Sequence, residues 1–215
     1  MSNISEDYIL EYIRDILPRR EEYLEEMERY AIENHVPIIE PEVAQFLRVL
    51  LKSKKPKDIL EVGTAIGYSA LVMCDAQKGD CRITTIERRD DMIKLAEEFI
   101  SKSPYKSNIN ILRGEAEDVL SEITDKYDLI FIDAAKGQYL EFFSRSMNLL
   151  RPGGLIVSDN VLFKGMVATD KLVIRRKKTI VKRLRSFLKY INELEGYTSS
   201  VIPVGDGLAL SYKEV

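Results

Sequence analysis

A chain of 215 residues, 45% apolar and 31% charged, can build one sizeable core and reads as a single domain over 1–215, with 1–35 as a helical amino-terminal extension. The opening MSNISEDYILEYIRD is acidic and amphipathic, and no run approaches the ~18 apolar residues of a membrane span, which argues against a secretory signal or membrane partner and for the cytoplasm. The net charge of −3 conceals a segment, Lys164 to Lys189, of formal charge +9 against −12 for the remainder, an asymmetry that points to a polyanionic partner.

In chain order, residues 3–33 carry apolar positions such as Ile9, Ile13, Ile16 and Leu17 at helical spacing, with Pro18 breaking the pattern into one or two helices. HVPIIEPEVAQFLRVLL predicts an extended entry and then a helix with Pro41 in its first turn. Strands and helices then alternate. KDILEVG, CRITTIE, NINILRG, YDLIFID and GLIVSDNVL read as strands. GYSALVMCDAQ, RDDMIKLAEEFISKS, EAEDVLSEI and YLEFFSRSMNLL read as the helices between them, the last ended by Pro152-Gly153-Gly154. A long helix over about 177–195 precedes two closing strands, SSVIPVG and LALSYKE, close enough to form a hairpin. The pattern predicts an α/β fold with a doubly wound, mostly parallel sheet and one antiparallel strand near the C-terminus.

Ligands of such sheets bind beyond the carboxyl ends of the strands, where strand order reverses. The first strand ends in LEVGTAIGYSA, where Gly63 and Gly67 permit a tight turn and close backbone approach, and Ser69 opens the next helix. The second ends on Glu87, suited to two vicinal ribose hydroxyls. At the third, Glu115 and Ala116 stand where they would flank an adenine. A dinucleotide fingerprint would need glycine at Ala65 and Tyr68, so the turn favours a nucleoside without a pyrophosphate over a nicotinamide cofactor.

The fourth and fifth strands end on Asp133 and on Asp159-Asn160. Two carboxylates and an amide form a hard-oxygen donor set suited to Mg²⁺, and also to Mn²⁺ or Ca²⁺; the plainer alternative is strand-end polar residues meeting water. Lys136, three residues after Asp133, is a candidate general base beside a cation or else a solvated loop lysine. Two cysteines, Cys74 and Cys81, and one histidine, His35, supply no credible nucleophile–base pair or thiolate zinc site.

With EVGTAIGYSA, IDAAKGQY, LRPGGLIVSDNVL and GDGLAL in place, the chain from about 36 to 212 resembles the metal-dependent class I O-methyltransferases of the catechol and caffeoyl-CoA type. That resemblance implies a Rossmann-like, seven-stranded sheet with helices on both faces. It implies S-adenosylmethionine contacts at Ile39, Glu61, Gly63, Tyr68, Ser69, Glu87, Glu115, Ala116 and Asp133. It implies Mg²⁺ ligands at Asp133, Asp159 and Asn160, a catalytic Lys136 alongside Asp133, and a homodimer. Within the family, HVPIIEPE and the short amino-terminal part look most like the bacterial tRNA 5-hydroxyuridine methyltransferases, which implies a tRNA anticodon stem-loop as partner. Independently of resemblance, Arg175, Lys178, Lys182, Arg185 and Lys189 fall on one face of the long helix, with Arg176 beside them, and Ile180, Leu184, Phe187 and Ile191 fall opposite. Such a stripe suits a phosphate backbone, and FKGMVATDKLVIRRKK would be a mobile loop beside the metal. The alternatives are the same chemistry on a small catechol or phenolic ester, and a non-catalytic RNA-binding protein on this fold.

Overall fold

Alternation within the strands decides what each face of the sheet meets. In the run Leu129–Ile132 every residue is buried, but Leu129 and Phe131 pack to one side and Ile130 and Ile132 to the other. Strands buried on both faces require helices on both, which is what the intervening segments supply.

The computed structural model describes residues 4–215, so the start of the domain at residue 1 and of the expected helical stretch at residue 3 lie outside the described residues. Helix α1 (Asp7–Asp15) and α2 (Glu22–Glu33) flank Pro18, and α3 (Pro41–Lys54) has its proline in the first turn. There follow β1 (Asp58–Val62), α4 (Tyr68–Ala76), β2 (Arg82–Glu87), α5 (Asp90–Lys102), β3 (Ile109–Arg113), α6 (Ala116–Glu122), β4 (Tyr127–Ile132), α7 (Tyr139–Leu149) and β5 (Leu150–Ser158). Helix α8 (Lys178–Glu193), β6 (Tyr197–Ile202) and β7 (Leu208–Lys213) complete the chain. The strand order is β3-β2-β1-β4-β5-β7-β6, and β7 runs antiparallel to both its neighbours. Strand order reverses between β1 and β4, so the crevice at a switch point of this kind opens beyond Val62 and Ile132.

Helices α2 to α5 cover one face through Leu24, Leu47, Leu71 and Phe99, while α6 to α8 cover the other through Leu120, Phe143, Leu184 and Phe187. Each fully buried large side chain contributes about 2 kcal/mol. Among the described residues no helix is long and apolar enough to cross a membrane.

Three expectations need correcting. Pro152-Gly153-Gly154 does not separate α7 from the next strand: β5 starts at Leu150, directly after the helix, and those residues lie within it. The strand ends at Ser158, leaving Asp159 and Asn160 in the loop beyond. On α8 it is Val181 that is fully buried with Leu184, Phe187 and Ile191, while Ile180 is half-buried. Helix α1 buries none of its residues, and Arg14 at its end holds Glu40 at 2.7 Å and the buried Glu42 at 2.9 Å.

Candidate active site

The ends of β1, β2 and β4 are tied together before any side chain is considered. The Gly63 and Thr64 amides both donate to the Ile86 carbonyl, at 3.1 and 3.2 Å, and the Asp133 amide donates to the Val62 carbonyl at 3.0 Å. Gly63, at φ +106°, lies so close to the Asp133 carbonyl that a side-chain carbon would overlap it. The chain then turns through Ala65 at φ +45° and Gly67 at φ +84° into α4.

A cleft of about 590 Å³ opens at this edge. Of the residues singled out at the strand ends, Ile39, Gly63, Tyr68, Ser69, Glu87, Glu115, Ala116, Asp133, Lys136 and Asn160 line it; Glu61, Asp159 and Gly67 do not, and Gly67 faces Ile100 and Ala96 of α5 instead. Glu87 is fixed by three backbone amides, of Ala65 at 3.0 Å, Arg88 at 2.9 Å and Arg89 at 3.0 Å. A carboxylate held this way is preset to accept further hydrogen bonds from a diol, because its orientation needs no reorganisation. Glu115 precedes α6, pairs with Arg88 at 3.3 Å, and sits with Ala116 on the far wall.

Glu61 stands behind the wall, fully buried, and meets the cleft lining only through hydrogen bonds to its neighbours. The Ser69 and Thr85 hydroxyls both donate to it at 2.5 Å. Burial pushes its carboxyl up to about 7, the two hydroxyl bonds oppose the rise, and the charges of Asp133 and Glu87 add to it. The Tyr68 hydroxyl donates to Glu28 of α2, which pairs with Arg20 at 2.9 Å, so the extension before α3 holds one wall of the cleft.

At the other end, Asp133 and Asp159 follow β4 and β5, and the Asp159 amide donates to the Ile132 carbonyl at 2.9 Å. Asn160, in the left-handed conformation at φ +59°, donates its side-chain amide to Asp133 at 3.1 Å and its backbone amide to the Asp159 carboxylate at 2.6 Å. Asp159 is 2% exposed, and its backbone carbonyl accepts from the Tyr139 hydroxyl at 2.8 Å. Burial pushes both carboxyls up; Asp133 raises Asp159 further, and the Lys136 charge opposes the rise in each. Burial opposes the ionised form of both carboxylates, and a divalent cation held between them would favour it. The donor chemistry fits Mg²⁺, Mn²⁺ or Ca²⁺, the Asn160 oxygen becoming available by a half-turn of its amide. Among the described residues no three His, Cys, Asp or Glu side chains converge, so the set is the carboxylate pair plus the amide.

Lys136 opens a single 3₁₀ turn, Lys136–Gln138, and lines the cleft. The turn is braced from two sides: Arg183 of α8 donates to the Gly137 carbonyl at 3.1 Å, and the Gln138 side chain donates to Glu117. Neither brace was signalled by the sequence, where Arg183 is one base among ten and Glu117 one acid among many.

The basic stripe divides into two kinds of residue. Arg175, Arg176, Lys178 and Lys182 are exposed, but Arg175 and Arg176 lie in a 3₁₀ turn (Arg175–Lys177) before α8 and not on the helix face where the spacing put them. Arg185 departs from expectation: its guanidinium donates to the Val167 carbonyl at 2.9 Å, the Met166 carbonyl at 3.3 Å and Asp170 at 2.7 Å, so it holds the preceding loop instead of standing free. Lys189 faces Glu193 at 3.9 Å. Lys177 lies over the Phe163 ring, 5.5 Å from its centroid, which puts the basic segment against the loop that leaves Asn160.

Comparison with known proteins adds a family to this geometry. A family model described as O-methyltransferase matches residues 15–214. A catechol O-methyltransferase of Niastella koreensis is 34% identical over 79% of this chain and 80% of its own length. A crystal structure from Staphylococcus aureus, provisionally called a caffeoyl-CoA O-methyltransferase, is 33% identical with a TM-score of 0.90, covering 96% of this chain and all of its own. The Bacillus cereus O-methyltransferase, solved with S-adenosylhomocysteine (SAH), is 25% identical with a TM-score of 0.84, covering 96% of this chain and 97% of its own.

Proposed function

The chain belongs to the O-methyltransferase family, and on that premise we propose that it moves the methyl group of S-adenosylmethionine onto a hydroxyl of an acceptor seated between Lys136 and the Asp133–Asn160 pair. Glu87 would hold the ribose diol, Glu115 and Ala116 would flank the adenine, and Gly63, Ser69 and Asp133 would receive the methionine end; Ile39 and Tyr68 close the wall, and Glu61 orients Ser69. The Bacillus cereus relative, solved with SAH, supports the cofactor assignment.

Asp133, Asp159 and Asn160 would hold the cation, which when bound supplies a Lewis acid that lowers the pKa of the acceptor hydroxyl. Lys136 Nζ would take the hydroxyl proton as a free amine, the ammonium form being disfavoured beside a bound dication. The acceptor oxygen attacks the methyl carbon in line with the C–S bond, that bond breaks, and S-adenosylhomocysteine leaves. Holding the two reactants in line supplies much of the acceleration.

The acceptor we propose is 5-hydroxyuridine at the tRNA wobble position, methylated to 5-methoxyuridine. Its O5 and O4 are vicinal oxygens, as in a catechol, and an unpaired anticodon base reaches a cleft at lower cost than a duplex base. The observation that carries this reading is the exposed basic rim of Arg175 and Arg176, just before α8, and Lys178 and Lys182, on α8, the helix whose Arg183 braces the Lys136 turn. A second reading, a small catechol or phenolic ester such as a caffeoyl thioester, is favoured by the names of the Niastella and Staphylococcus relatives. Labelled S-adenosylmethionine offered with tRNA from a strain lacking the protein, and separately with a small catechol, decides between them. Label in tRNA, recovered as 5-methoxyuridine, is the expected result; label in the catechol alone overturns the tRNA reading.

The same proposal places the enzyme in the cytoplasm and pairs two copies through α1, whose Tyr8, Ile9 and Tyr12 are exposed together with Ile16 just beyond its end. Sedimentation of the full chain as a monomer at micromolar concentration would exclude that pairing.

A further inference from the structure

The loop leaving Asn160 is strained in a way that its own residues do not explain. Asn160, Phe163 and Lys164, none of them glycine, have φ of 59°, 47° and 56°. Each such residue costs about 1 kcal/mol or more and persists only where its surroundings impose it.

The surroundings here are the tip between β6 and β7. The Val161 amide donates to the Gly207 carbonyl at 2.9 Å, the Leu162 amide to the Asp206 carbonyl at 2.9 Å, and the Lys164 amide to the Asp206 carboxylate. Gly207, at φ +89°, packs against Leu162 so closely that any side chain there would collide with it. On its other side the tip is backed by α3, where Gly205 faces Val43. Asp206 thus supplies two of the three clips, one from its backbone and one from its side chain. It does not join a third carboxylate to Asp133 and Asp159, since no such trio converges among the described residues.

We propose that Asp206 is a positioning residue for the metal: its carboxylate, through the Lys164 amide, holds the Asn160–Lys164 loop in the shape that presents Asn160 beside Asp133. The inference rests on the metal reading given above. It assigns Asp206 a geometric role, so an amide oxygen at the same place should serve nearly as well as a carboxylate.

The test is Mn²⁺ binding, followed by paramagnetic resonance, with SAH affinity measured in parallel by calorimetry. Wild type should bind Mn²⁺ in a manner abolished by Asp133→Asn. Asp206→Ala should weaken Mn²⁺ by about 10- to 100-fold, and Asp206→Asn by no more than about 3-fold, with SAH affinity unchanged in both. Asp206→Ser, whose hydroxyl is too short to reach the Lys164 amide, gives the same reading if the alanine variant does not fold. Wild-type Mn²⁺ affinity in Asp206→Ala, an equal loss in Asp206→Asn, or a parallel loss of SAH affinity overturns the positioning role. Absence of any Asp133-dependent Mn²⁺ binding in wild type overturns the metal reading itself, and the role of Asp206 with it.

Discussion

Arg183 reaches across from α8 to the Gly137 carbonyl, one residue beyond Lys136. A helix read from sequence as a surface for a partner therefore also sets the position of the lysine in the cleft. Arg183→Gln should lower kcat by about 10- to 100-fold with any acceptor, because small misplacements of a reacting group carry penalties of that size. SAH affinity should stay as it is, since Arg183 does not line the cleft. Steady-state kinetics at saturating acceptor provides the check, and an unchanged kcat would show the contact to be incidental.

The exposed members of the same segment should behave differently. Replacing Lys178 and Lys182 together by Glu should raise KM for tRNA by about 10-fold or more at low salt and flatten its salt dependence, as loss of phosphate contacts requires. A small catechol carries no phosphates, so its KM should not move. If the KM for tRNA is also unaffected, RNA does not follow this face.

How far the sequence reached can be seen at these residues. Apolar runs such as LIFI announce buried strands because sheet burial demands them, and strand ends are where a doubly wound sheet opens, so Asp133, Glu87 and Asn160 were legible as cleft residues. The separate duties of Arg183, Arg185 and Lys182 were not, since side chains of one charge at helical spacing look alike until their partners appear. Glu61 carried no sign that Ser69 and Thr85 would enclose it, and Asp206 lies more than forty residues from the loop it clips. Periodicity reports which face is buried; it cannot report which distant carbonyl or amide a polar group will meet.

Glu61 should leave a mark on stability against pH. Its folded value, about 7, lies above the ~4.3 of an unfolded glutamate. Between those values the native protein holds a proton that the unfolded chain has released, so this contribution is full below about pH 4 and is lost as pH rises through 7, in all on the order of 3 kcal/mol. Glu61→Gln removes the titration. The difference in Tm between Glu61→Gln and wild type, without ligands, should grow in the variant's favour by about 5 °C or more between pH 5 and pH 8.5. Thermal melts across that range test it, and a difference that stays constant would mean Glu61 is not the titrating group.

Gly63 and Gly196 share a left-handed backbone, φ +106° and +75°, but not a setting. A side-chain carbon at Gly63 would overlap the Asp133 carbonyl, whereas at Gly196 nothing lies within 4 Å. Gly196→Ala should therefore cost only its conformational strain, about 1 kcal/mol. Gly63→Ala adds overpacking to strain, roughly 2–5 kcal/mol together, and it pushes on the segment that carries Asp133. It should accordingly weaken SAH and Mn²⁺ binding, while Gly196→Ala alters neither. Urea midpoints and the two affinities measured on both variants decide the matter: equal costs would mean that the close approach of β1 and β4 is not what shapes the cleft.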